Sequence, residues 1–118
     1  MNAQTKKQPV KTELFASKAP LEWAIVNNGT LYTAQIPIDD TGVVVEGGIE
    51  AQTRQTFNNL KHTLECAGES LDSVLQVLIY VTDREYLKQL TQSMRSILKR
   101  HTQIEQRWSW QVSQEKRC

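Results

Sequence analysis

Apolar side chains recur at helical spacing in the middle of the chain. Between Gly47 and Gly68, Ile49, Phe57, Leu60, Leu64 and Ala67 share one stripe with a period of about 3.6 residues. Glu50, Gln52, Arg54, Asn58, Lys61 and Glu65 fill the rest of the surface. Gly68 stands where a helix end favours a residue free to take positive φ. The pattern predicts one helix from about Ile49 to Ala67, roughly five turns long and buried on one side only. Such a stripe needs a sheet or another helix to cover it.

Strand patterns flank this helix. WAIVNNGTLYTAQIPI places two β-rich runs around Asn28-Gly29. That dipeptide favours a type I′ hairpin, whose two central residues both need positive φ. Strands are expected at about Trp23–Asn27 and Thr30–Ile36, the second ended by Pro37, which cannot donate to a ladder. The loop IDDTG follows, and Val43–Val45 reads as a short extended piece. Beyond the helix, Leu75, Val77, Ile79 and Val81 alternate with Gln76, Leu78, Tyr80 and Thr82, so both faces of this strand are largely apolar. Asp83 suits an N-cap, and Leu87, Leu90, Met94 and Ile97 repeat at helical spacing after it. The order β-β-α-β-α describes an α+β layer with helices on one face of a sheet. Met1 to Glu13 is polar and Lys-rich and reads as a mobile tail, with Leu14 and Phe15 as the first anchors. Arg100 to Cys118 carries no helical stripe; within it WSWQVS alternates weakly, as an edge strand does.

Composition narrows the function classes without choosing one. A chain of 118 residues makes one domain with a real core. Fourteen Lys and Arg against thirteen Asp and Glu leave a net charge of +1, so no electrostatic footprint marks a nucleic-acid or membrane partner. No apolar run approaches membrane-spanning length and the N-terminus lacks the apolar core of a signal peptide, so a cytoplasmic location is expected. Cys66 and Cys118 do not make a disulfide framework and read as free thiols. His62 and His101 have no ligand partners at usable spacing, so no metal is expected. Cys66 reads as a small buried hydrophobe rather than a nucleophile, His62 as a surface helix residue, and Glu65, Glu69 and Asp72 as a solvated face and helix end. Trp23 fits a core position better than a ligand platform.

The chemistry comes from a resemblance. The block from Val43 to Asp83, VVVEGGIEAQTRQTFNNLKHTLECAGESLDSVLQVLIYVTD, resembles the Rid family (RidA/YjgF) of enamine/imine deaminases, as does AQIPID before it. IEAQTRQTFNNLK and AGESLDSVLQV are its most specific parts, and the likeness runs from about Trp23 to Leu90. It implies a chorismate-mutase-like α+β fold, with helices on one face of a mixed sheet. It also implies a homotrimer with ligand clefts between subunits. The implied activity is hydrolysis of reactive enamines or imines of the 2-aminoacrylate type to 2-keto acids and ammonia, with no cofactor. The alternative is a non-catalytic Rid-fold protein that binds small molecules or has a regulatory role. The implied substrate-binding residues are Trp23, Thr33, Ala34, Gln35 and Thr91; the catalytic residue is left open.

The departures from the family pattern matter as much. LEWAI stands where the family has PYSQ, leaving Trp23 as the aromatic candidate for the cleft wall. The family's SGQ step reads Thr33-Ala34-Gln35, its second-helix Asn is matched by Thr91, and its Pro-x-Arg-[AST] strand and final acidic strand are absent. In the family that Arg binds the substrate carboxylate; Arg107 is a poor substitute, because a bidentate clamp needs fixed geometry. Joining the third base of each codon to the first two of the next lets His101–Cys118 encode YPNRATLVVAGLAREEM, which contains the missing Arg strand. The resemblance therefore implies a one-nucleotide loss near Leu90–Thr91, a divergent C-terminus over residues 91–118, and an impaired site.

Overall fold

The computed structural model of the chain describes residues 6–101 and 109–114, with residues 98–101 and 109–114 described by backbone only. Two strands, β2 (Ala24–Asn27) and β3 (Thr30–Thr33), form an antiparallel hairpin in which Ala24 pairs with Thr33 and Asn27 with Thr30. Asn28 has φ 53° and Gly29 φ 76°, the double positive φ that the hairpin dipeptide predicted. A two-residue strand, β1 (Gln8–Pro9), adds to the free edge of β2. After an extended loop bridged at Ile38 and Val44 comes the long helix α1 (Gly48–Cys66). It ends as its sequence implied: Gly68 takes φ 78°, and the Glu69 N–H turns back to Leu64 O at 2.8 Å. A 3₁₀ turn at Leu71–Ser73 leads into β4 (Gln76–Val81). The Asp83 carboxylate accepts from the Glu85 N–H at 2.9 Å and opens helix α2 (Tyr86–His101). The last strand, β5 (Ser109–Gln114), runs parallel to β4, with α2 as the crossover that parallel pairing requires. It lies at the WSWQVS stretch, so one strand follows α2 where the family's C-terminal strands were expected to be lost.

The core lies between the two helices and the inner face of β4. Phe57 and Leu64 of α1, Leu90 and Met94 of α2, Val81 of β4 and Leu71 of the 3₁₀ turn are buried together, with Leu31, Leu60, Val77 and Ile79 packed around them. β4 shows why its pattern was apolar on both sides. Val77, Ile79 and Val81 face the helices, while Leu78 and Tyr80 on the other face remain exposed. This is an α+β arrangement with helices on one face. Among the described residues the strands are hydrogen-bonded as two ladders, β1–β3 and β4–β5.

Four local expectations are corrected. α1 is buried on more than one side, because Asn59 and Thr63 are buried as deeply as the apolar stripe. β3 ends at Thr33 rather than Ile36; the carbonyls of Ile36 and Ile38 bond side-chain amides of α1, which removes the need for a strand neighbour. Within the stretch expected as a mobile tail, the described residues 6–13 are tied down by β1, by Val10 N–H to Ala24 O at 3.0 Å, and by Glu13 N–H to His62 Nε2 at 3.0 Å. Cys66 is exposed rather than buried, because the last turn of α1 rotates it out of the stripe, and its Sγ lies 3.5 Å from His62 Nε2.

Candidate functional site

The segment Thr33-Ala34-Gln35 leaves the end of β3 and crosses α1. Three hydroxyl and amide groups hold it there. The Thr33 hydroxyl donates to Trp23 O at 2.6 Å, across the last pair of the hairpin. The Gln35 side-chain amide donates to Thr33 Oγ1 at 2.9 Å and to Thr63 Oγ1 at 3.0 Å. Thr63 is wholly buried and its own hydroxyl donates to Asn59 O at 2.8 Å, one turn back in α1. Asn59 then donates to Ile36 O at 3.1 Å and Ile38 O at 3.0 Å, and its Oδ1 accepts from Gln55 at 2.9 Å. Gln55, Asn59 and Thr63 thus form a polar ridge at i, i+4 and i+8, beside the apolar stripe and not part of it. Ala34 and Thr33 lie exposed at the surface of this arrangement.

A small cavity of about 120 Å³ adjoins the ridge at Gln55 and Asn59. Trp23, Phe15, Ile38, Asp39 and Asn59 contribute to its wall. The Trp23 indole N–H donates to Phe15 O at 2.8 Å, so this half-buried residue serves as a structural wall. Phe15 fits so closely over Gly42 that a Cβ there would stand 2.7 Å from its ring. The Thr41 hydroxyl above all, and then the Val43 and Thr41 N–H groups, hold the Asp39 carboxyl below its usual range.

Of the residues expected to bind substrate, Trp23, Thr33, Ala34 and Gln35 lie together in one hydrogen-bonded stretch. Thr91 sits on α2, and its hydroxyl donates to Leu87 O of the same helix at 2.8 Å. A second groove, of about 280 Å³, runs between Glu50 and Arg54 of α1 and Gln89, Ser93 and Ser96 of α2. Arg107 lies outside the described residues. Sequence reasoning missed Asn59 and Thr63, although their helical spacing with Gln55 was a readable signal. Among the described residues no group of three or more His, Cys, Asp or Glu is placed to hold a metal, and no helix is long and apolar enough to cross a membrane.

The comparisons with known proteins agree on one family. The family model described as Endoribonuclease L-PSP matches residues 11–116. A RutC family protein of Pyrococcus horikoshii is 47% identical over 81 residues, covering 63% of this chain and 64% of that protein. This chain belongs to the Rid family. A second Rid relative, the Schizosaccharomyces pombe protein mmf1, whose name marks it as mitochondrial, is 38% identical over 80 residues, covering 67% of this chain and 49% of that protein. The matched stretch therefore spans about half to under two thirds of these curated relatives' length. Among solved structures, the Rid-family protein YyfA of Yersinia pestis superposes with a TM-score of 0.80 at 28% identity, covering 93% of this chain and 86% of that one. The YjgF gene product of E. coli superposes at 0.82 with 23% identity, covering 94% and 87%, a likeness of Rid fold.

Proposed function

We propose that this Rid-family chain binds small enamine, imine or 2-keto acids at the Thr33-Ala34-Gln35 segment and that it is an impaired deaminase of the 2-aminoacrylate type. One observation carries the reading: in a chain of this family, the segment matching the family's SGQ step is held by side-chain hydrogen bonds at the end of β3 with Thr33 and Ala34 exposed. Backbone groups fixed at such a place can receive a small polar substrate and orient an attacking water, which is where a positioning enzyme gains rate. The absence of the Pro-x-Arg strand from the sequence favours the second reading, a protein that binds 2-keto acids without turning substrate over. A missing charge-assisted contact costs about 1.5–3 kcal/mol, or roughly ten- to a hundredfold in binding. Clearance of 2-aminoacrylate in a coupled dehydratase assay is expected to be weak or nil, and activity equal to that of an intact Rid protein defeats the impairment. Sequencing the DNA across codons 88 to 92 tests its origin, since the proposed frameshift predicts one missing nucleotide there.

Assembly belongs to the same proposal. Leu78 and Tyr80 of β4, and Tyr32 of β3, are exposed on the face away from the helices. An apolar sheet face of this kind fits burial against other copies of the chain, and a homotrimer is the proposed state. Light scattering on a size-exclusion column is expected to give the trimer mass, and a sharp, heat-stable monomer overturns it. A cytoplasmic location is proposed with it, as is the absence of nucleic acid among the partners. The net charge of +1 supports the latter against the ribonuclease activity named in the family description.

A further inference from the structure

We propose that Thr63 is the positioning residue of the substrate segment: its buried hydroxyl sets the orientation of the Gln35 amide and, through it, the backbone of Thr33-Ala34-Gln35. The functional part of this inference rests on the binding reading above; the geometric part does not.

The Thr63 hydroxyl has one hydrogen, and Asn59 O takes it at 2.8 Å. The Thr33 hydroxyl has one hydrogen, and Trp23 O takes it at 2.6 Å. Both oxygens can then only accept, and both accept from Gln35 Nε2, at 3.0 and 2.9 Å. A flipped amide would put Oε1 against these two oxygens and would require both hydroxyls to turn away from Asn59 O and Trp23 O, so the two carbonyl acceptors favour the unflipped orientation of the Gln35 amide. Its Oε1 is consequently held in a fixed direction, buried and without a hydrogen-bond partner among the described residues. Of the two acceptors, Thr63 is wholly buried on a helix, whereas Thr33 is exposed at a strand end. The rigid anchor is therefore on α1, and Asn59 fixes the next carbonyls, Ile36 O and Ile38 O, to the same helix. The whole step from β3 into the loop is aligned by one helix face.

Three proteins test this: the unaltered chain, Thr63→Val, which keeps the shape and removes the acceptor, and Thr63→Ser, which restores it. Two-dimensional ¹⁵N NMR follows the Gln35 side-chain amide protons and, during titration with 2-ketobutyrate, the backbone amides of Thr33, Ala34 and Gln35. The expected result is protected Gln35 amide protons in the chain and in Thr63→Ser, and loss of that protection in Thr63→Val with the remaining spectrum dispersed. The 2-ketobutyrate Kd is expected to rise about tenfold in Thr63→Val and to recover in Thr63→Ser, the size of one lost hydrogen bond. Equal Kd values in all three proteins overturn the positioning role while leaving the binding reading intact. If the unaltered chain does not bind 2-ketobutyrate, the binding reading falls, and the Gln35 protons alone judge the inference: equal protection in all three proteins overturns it. Should Thr63→Val fail to fold, Thr33→Val removes the exposed acceptor instead. One Gln35 proton staying protected supports Thr63 as the anchor; both exchanging at the solvent rate overturns it.

Discussion

The two buried sides of α1 are held by different physics. On one side Phe57 and Leu64 meet Leu90, Met94 and Val81, an apolar contact that is non-directional and scales with the area removed from water. On the other side Gln55, Asn59 and Thr63 meet the Gln35–Ile38 segment through hydrogen bonds of 3.0 to 3.2 Å. The first side tolerates a change of shape and suffers from lost volume. The second tolerates lost volume poorly for another reason: each carbonyl left without its donor bears the full cost of its desolvation. The apolar side makes the helix stay; the polar side decides where the candidate site lies.

The largest effect is expected on the apolar side. Phe57→Ala empties a buried aromatic site and should cost about 3–5 kcal/mol in urea or thermal unfolding, whereas Phe57→Leu should cost much less. Equal losses for the two variants would show that the contact is more specific than an apolar one. On the polar side, Asn59→Asp is nearly isosteric, yet it removes the amide donors from Ile36 O and Ile38 O and should cost about 1–3 kcal/mol at neutral pH. If Asn59→Asp is silent while Phe57→Leu is not, the comparison is reversed.

The smallest effect sharpens the loop that follows the polar side. The Asp39 carboxyl is held low by Thr41 and Val43, so its folded pKa lies below its unfolded one. The ionised form is the stabilising one: its contribution is present above the unfolded pKa and is lost as pH falls through the folded pKa. Melting curves of the chain and of Asp39→Asn should differ at neutral pH and converge in acid. A gap that widens on acidification would contradict the hydrogen bonding assigned to Asp39.

Much of this was legible in order along the chain. The Asn28-Gly29 turn, the α1 stripe, the Gly68 ending and the β4 alternation are local: φ preferences and periodicity act within a few residues, and the structure kept each of them. Family membership was legible too, since IEAQTRQTFNNLK and AGESLDSVLQV hold fixed letters at fixed offsets. Tertiary structure alone decided the rest. That Thr33 would end a strand, that Glu13 would meet His62 across 49 positions, and that Asn59 and Thr63 would be buried all depend on groups far apart in sequence. A polar residue on a helix reads as solvated until a partner with matching donors and acceptors is brought against it. Periodicity marks the face, but only the fold supplies the carbonyls of Ile36 and Ile38 and the amide of Gln35 that make burial of that face affordable.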